Sequence, residues 1–377
     1  MVYNNNTKLM EGEIFIIYLD NSATKPLCEA AKKIIVKHLD DFGNPSSQYE
    51  LGRKSRLLIE DARDRIANCI NASPEEIYFT SGGSEANSWV TSQYMTVSSK
   101  LEHHSLKANF NDVIVGEDGV VNPQHLSCIN HRMSRLFEVV SCMYVNNELG
   151  TIQPIKDIAR IAHGKNMLFH TDAVQAIGHI PIDVKELNCD MLSASAHKFG
   201  GPKGVGFLYV KNGVDLNPLI NGGKQEFGKR GSTENVLGII AMAEALEDAV
   251  VHIEEHNKHI KKLRDKMLDK LLQIDGAHLN GSLKKRVVSN INIRFDGISG
   301  ARLVAMCDLC GVCISAGSAC NEGEATPSHV LKAIGLSDEE ALSSIRITIG
   351  YQNTAEEIDK ATDIITKLVE RIRQDNV

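Results

Sequence analysis

No apolar run in these 377 residues approaches the ~18 needed for a membrane-spanning helix. The opening Met-Val-Tyr-Asn-Asn-Asn-Thr-Lys also lacks the apolar core of a secretory signal, so a cytoplasmic protein is expected. There is no surplus of positive charge. With 41 Lys and Arg against 48 Asp and Glu, the formal charge is −7, which favours solubility and gives no reason to expect nucleic acid or an anionic membrane as partner. The nine cysteines form no disulfide framework, being odd in number and irregular in spacing, and read as reduced thiols. Internal repeats, low-complexity linkers and an HExxH metal pattern are absent too, and no metal is expected.

What is present is an alternation of short apolar runs with amphipathic stretches from about residue 60 to 250. This predicts a mainly parallel sheet with helices on both faces. Strands are predicted at Ile77–Thr80, Val139–Val145, Met167–His170, Asp190–Ser193 and Val205–Val210, the first four running directly into polar clusters. In open α/β sheets ligands bind beyond the carboxyl ends of the strands, so the four clusters are expected to share one crevice. Ile253, Ile260, Leu263, Met267, Leu271 and Ile274 recur at helical spacing and predict one long helix, followed by a new strand pattern at Val287–Phe295. The expected division is a large domain over 17–254 and a smaller α/β domain over 255–377, with residues 1–16 packing on the latter.

Five polar segments carry candidate chemistry. Ser81-Gly82-Gly83-Ser84 follows a strand and opens a helix, as an anion site does, although a plain helix start reads the same way. The glycine-rich, basic stretch 222–235 suits a phosphate site, a subunit contact or a simple connection. Cys320 stands among small residues in Ser-Ala-Gly-Ser-Ala-Cys-Asn-Glu-Gly, as a thiol that must swing between positions would. Lys198, in Ser-Ala-His-Lys, lies some 25 residues after Asp172 in His-Thr-Asp-Ala-Val-Gln. A lysine and an aspartate at neighbouring strand ends are what pyridoxal 5'-phosphate needs: an amine for the Schiff base and a carboxylate that keeps the pyridine nitrogen protonated. Cys307, Cys310 and Cys313 have a spacing seen in iron–sulfur ligation, but a helix end, a Gly311 turn and a strand would scatter the thiols.

Together with Tyr18-Leu19-Asp20-Asn21-Ser22-Ala23-Thr24 and Gly43-Asn44-Pro45-Ser46-Ser47, these segments resemble the cysteine desulfurases of the NifS/IscS type. These belong to the class V aminotransferase superfamily, and the resemblance runs from about Ile17 to Thr354. It implies PLP fold type I, with a seven-stranded, mainly parallel sheet, and a homodimer. It also implies roles. Lys198 would anchor the cofactor and shuttle protons, Asp172 would meet the pyridinium nitrogen, and Gln175 the phenolate oxygen. His103 would stack on the ring and take part in proton transfer. Gly83, Ser84, Ser195 and His197 would hold the phosphate, with Thr233 reaching in from a second subunit. Asn147 and Arg346 would bind the carboxylate of L-cysteine, and Cys320 would accept its sulfur and pass it to an acceptor protein, for iron–sulfur assembly or tRNA thiolation.

The chain departs from the family pattern at Lys25, Tyr49, Phe227, Tyr351 and the inverted pair Gly231-Ser232, where Ser-Gly is usual. The competing expectations are a selenocysteine lyase, a class V transaminase, and a non-catalytic scaffold of the same fold.

Overall fold

The computed structural model describes residues 16–127, 138–316 and 326–375. Residues 1–15 and Cys320, both named above, lie outside them.

A short strand, β1 (Ile17–Tyr18), opens the described chain. Seven strands then build one sheet: β2 (Ile77–Thr80), β3 (Thr96–Ser99), β4 (Phe110–Val113), β5 (Val139–Ser141), β6 (Leu168–Asp172), β7 (Met191–Ser195) and β8 (Gly206–Val210). Their spatial order is β2-β8-β7-β6-β5-β3-β4, and every neighbour pair is parallel except the two made by β8. Because β2 opposes β8 and β8 opposes β7, β2 runs with β7. The carboxyl ends of six strands therefore share one edge of the sheet.

Both faces of this sheet are covered, and the period-two alternation of the strands sorts their side chains between them. Leu192, Ala194, Phe207 and Tyr209 join the core shared with helices Glu50–Cys69 and Val236–Val251. Met191, Leu208 and Val210 face Ala86, Trp89 and Val90 of helix Gly83–Gln93.

The second sheet is antiparallel. β9 (Ala277–Leu279), β10 (Asn290–Phe295), β12 (Ser315–Ala316) and β13 (Ser344–Thr348) lie in the order β12-β13-β10-β9, while β11 (Val312–Cys313) pairs with β1. Helices Ile253–Leu271 and Ala355–Asp375 supply Ile260, Leu263, Met267, Ile358 and Ile365 to its core. Ile17 and Leu19 are buried in this second core rather than in the first.

Most predicted boundaries move; the strand over 167–170 becomes Leu168–Asp172, that over 190–193 becomes Met191–Ser195, and the pattern at 287–295 becomes Asn290–Phe295. The strand expected to reach Val145 ends at Ser141, although Cys142 and Tyr144 still donate to the His170 and Asp172 carbonyls of β6, and the Asn146 side chain then accepts the backbone N–H groups of Glu148 and Leu149. The long helix stops at Leu271, short of Ile274, where Gly276 adopts a φ of +62° and turns the chain into β9. Cys307 is buried on a helix, Cys310 is exposed and Cys313 lies on β11, and among the described residues no group of metal-ligating side chains converges. No helix among them is long and apolar enough to cross a membrane.

Candidate active site

The shared carboxyl edge of the large sheet borders a cavity of about 280 Å³, near the lower end of the ~300–1,000 Å³ usual for ligand pockets. It is lined by Gly83, Ser84, His103, Asn147, Asp172, Gln175, Ser195, His197, Lys198 and Arg346. These residues come from β6, β7 and β13, from the segments after β2, β3, β5 and β7, and from the turn after Asp172. The sequence separates them by up to 263 positions, 83 to 346, and the topology brings them together.

Asp172 is the last residue of β6 and is buried. Its Oδ2 accepts from Asn87 Nδ2 at 2.6 Å and its Oδ1 from the Val174 N–H at 2.9 Å. Lys198 closes a short 3₁₀ turn directly after β7, the strand adjoining β6. Its Nζ donates to the carbonyls of Ser22 and Ala23 at 2.6 and 2.8 Å. Burial lowers its pKa to about 8, and the Arg346 guanidinium adds to this, against the pull of Asp172 and Asp20. A lysine poised there carries a usable fraction of neutral amine at physiological pH.

At the helix Gly83–Gln93, Gly82 sits at a φ of +150° and offers no side-chain cap. A Cβ on Gly83 would come within 2.5 Å of Val174 Cγ2, so the backbone approaches the cavity floor only because it is bare. Uncapped N–H groups of the first turn, with Ser84 and Ser195 beside them, make an anion cradle. The His197 Nδ1 pairs with Thr24 Oγ1 at 3.1 Å, and burial, with Lys198 and Lys203 nearby, lowers its pKa to about 4.

Gln175 donates to the Ser22 carbonyl at 2.9 Å. His103 Nδ1 lies 2.7 Å from Ser105 Oγ, and its pKa is lowered by desolvation, with Asp172 opposing and Lys198 adding to the shift. Arg346 is buried on β13, where Nη1 donates to the Asn147 carbonyl at 2.9 Å and Nη2 to Asp20 Oδ1 at 2.7 Å. Its buried Nε has no partner among the described residues, while the Arg346 side chain lines the cavity.

The description "Aminotransferase class-V" matches residues 17–361. The cysteine desulfurase IscS of Methanosarcina thermophila is 40% identical over 99% of this chain and 96% of its own length. A solved NifS-like protein superposes with a TM-score of 0.86 at 35% identity, covering 94% of this chain and all of that one. A structure titled "SspA in complex with cysteine" gives 0.76 at 31% identity, covering 89% and 99%. The chain belongs to the class-V aminotransferases, among the cysteine desulfurases.

Thr233, expected to serve the site of a second subunit, is exposed and does not line this cavity, and Cys320 lies outside the described residues. Sequence reading gave no site role to six of the lining residues, Asn87 and Ser105 among them. Asn87 follows Gly83 by four positions and so shares its helix face, and Ser105 stands two residues after His103. Asn87 donates to both Asp172 and Ser105, which links the acid of β6 to the histidine by hydrogen bonds.

The departures from the family pattern also find places. Lys25 and Tyr351 line one small second cavity of about 60 Å³, beside Phe199 and Gly200 of the Lys198 turn. Tyr49 is exposed. Phe227, at a φ of +55°, packs edge-on against Tyr78 and under the Arg63 guanidinium. The inverted pair puts Ser232 at a φ of +97°, a region that costs an L-residue on the order of 1–2 kcal/mol.

Proposed function

We propose that this chain converts L-cysteine to L-alanine, passing the sulfur to Cys320 as a persulfide and from there to an acceptor protein. The observation that carries the reading is the meeting of Lys198, Asp172, Arg346 and an uncapped helix start on one cavity.

The lining suits pyridoxal 5'-phosphate, on which this family depends. The cradle at Gly83, Ser84, Ser195 and His197 matches its phosphate, Asp172 its pyridine nitrogen, Gln175 its phenolate oxygen, and Lys198 its aldehyde carbon. When bound, it supplies an electron-accepting ring that stabilises negative charge at the substrate α-carbon.

The chain's own groups do the rest. Arg346 and Asn147, both lining the cavity, orient the substrate carboxylate. Lys198 takes the proton from the substrate α-carbon and later returns one, a role matched by its lowered pKa. His103 serves proton transfer beside it. The Cys320 thiolate attacks the substrate sulfur. A sulfur–sulfur bond forms as the carbon–sulfur bond breaks, the β-carbon keeps the electron pair and is protonated, and L-alanine leaves. We extend the proposal to a homodimer in which the exposed Thr233 serves the phosphate site of a second copy, and to a reducing cytoplasmic setting.

Cys320→Ala tests the sulfur step. It should take up the cofactor, seen in the visible spectrum, yet form no protein persulfide with L-cysteine and deliver no sulfur. Delivery at the wild-type rate would refute the assignment.

A further inference from the structure

One ring nitrogen of His103 has its role decided by the backbone. The Ser105 N–H can only donate, and it donates to His103 Nδ1 at 3.1 Å. A ring nitrogen that accepts a hydrogen bond carries no hydrogen, so in neutral His103 the hydrogen lies on Nε2.

The side chains around it agree. The Asn87 amide stands 2.6 Å from a carboxylate oxygen, Asp172 Oδ2, and only its NH₂ can face that acceptor. The opposite orientation would set two oxygens in contact. The amide keeps this one although its Oδ1 is left buried with no partner among the described residues. The same Nδ2 donates its other hydrogen to Ser105 Oγ at 3.0 Å. That bond turns the hydroxyl hydrogen away from Asn87, and His103 Nδ1, 2.7 Å from Oγ, is the acceptor it meets among the described residues. Nδ1 thus receives two donors, one from the backbone and one whose direction Asn87 sets. Protonating Nδ1 would drive its hydrogen against both. This accords with a His103 pKa lowered by desolvation, against the pull of Asp172 and with Lys198 and His104 adding.

We infer that Asn87 and Ser105 are positioning residues that hold His103 in the tautomer with hydrogen on Nε2, so that it supports proton transfer as a hydrogen-bond donor and leaves the base's part to Lys198. The donor's part rests on the reaction proposed above; the tautomer does not. A neutral imidazole held this way steadies developing negative charge without itself becoming charged.

The tautomer is read on the apo protein, without turnover. Ring-¹⁵N-labelled histidine shows which nitrogen bears hydrogen, and the His103 signals are those missing from His103→Gln. Wild type should show a bare Nδ1 and a protonated Nε2. Asn87→Ala frees the hydroxyl to turn and accept, and it should raise the Nδ1–H population about tenfold, the worth of roughly one hydrogen bond. Ser105→Ala should do the same, and it keeps the test decisive if Asn87→Ala does not fold. Ser105→Thr retains the hydroxyl and should retain the wild-type pattern. A wild-type Nδ1–H signal, or an unchanged pattern in both alanine variants, would overturn the role of Asn87 and Ser105.

The donor's part is read in cofactor-loaded enzyme by alanine formation from L-cysteine. The His103→Gln amide still offers an N–H but cannot take up a proton. It should turn over at least about tenfold faster than His103→Ala, since a lost donor of this kind costs about 10²–10³-fold. Equal losses in the two would show that His103 acts as a base and overturn its assignment as donor. A wild type inactive toward L-cysteine, yet with hydrogen on Nε2, would sink the proposed reaction while upholding the tautomer.

Discussion

At the scale of single residues, the fold holds several ionisable groups in the neutral form, and their effects on stability oppose one another. Burial lowers the pKa of His170 and of His179 to about 3. An unfolded chain protonates histidine from about 6.5 downward. The unfolded state therefore binds more protons between those values, and both histidines withdraw stability as pH falls through that window. Glu102, raised to about 8 chiefly by burial with Asp172 adding, and Glu148, raised to about 7, have the opposite sign. Their contribution is present below their unfolded value and is lost as pH rises through 7 to 8. His170 sits between Ser141 Oγ and Ser193 Oγ at 2.7 and 2.9 Å, where asparagine has donor and acceptor groups of the right kind. His170→Asn should accordingly lose less stability than wild type between pH 7 and pH 4.5, measured as the shift of the urea midpoint of the apo protein. Equal shifts in the two proteins would contradict the assignment of His170 as a buried neutral group.

At the scale of elements, the loop 222–235 is pinned from beneath by a buried ion pair. Arg63 donates to Glu226 through Nη1 and Nη2, both at 2.9 Å, and the Phe79 N–H adds a bond to the same carboxylate at 2.8 Å. A second fork, Arg230 to Glu85 at 2.9 and 3.1 Å, ties the loop to the helix that starts at Gly83. Breaking a buried pair from one side leaves a charge without its counterion, at a cost of roughly 3–5 kcal/mol. Glu226→Gln should lower the free energy of unfolding by about that amount, read from urea denaturation. A midpoint within error of wild type would show that the pair adds nothing. Lengths were harder to read than kinds for these elements. The large sheet was legible because apolar runs ending in polar clusters can only be strands that feed a crevice. The stop at Ser141 was not, and the strands β3 and β4 lacked a contrast with their surroundings.

At the scale of the molecule, two cores meet at the cavity: Arg346 comes from the small sheet and bonds Asp20 and the Asn147 carbonyl, while Lys198 and Asp172 come from the large one. Lys198, Asp172 and the Gly82-Gly83 turn were legible together as strand-end residues, whereas His103, Asn147, Gln175, Ser195, His197 and Arg346 were assigned through the resemblance to the desulfurases. Asn87 carried no such mark, for an asparagine inside a helix looks like any solvated polar residue until Asp172 is seen 2.6 Å away. The bond between Glu148 and Ser328 was equally hidden, because its partners are 180 residues apart and neither has an unusual sequence context.

The account stands or falls on the chemistry of the Lys198 cavity. The most direct measurement is of alanine and sulfide released from L-cysteine by cofactor-loaded protein in the presence of a thiol reductant, wild type beside Lys198→Ala. The prediction is equal amounts of the two products from wild type and none from the variant. No alanine from the wild type, or undiminished alanine from Lys198→Ala, would contradict it.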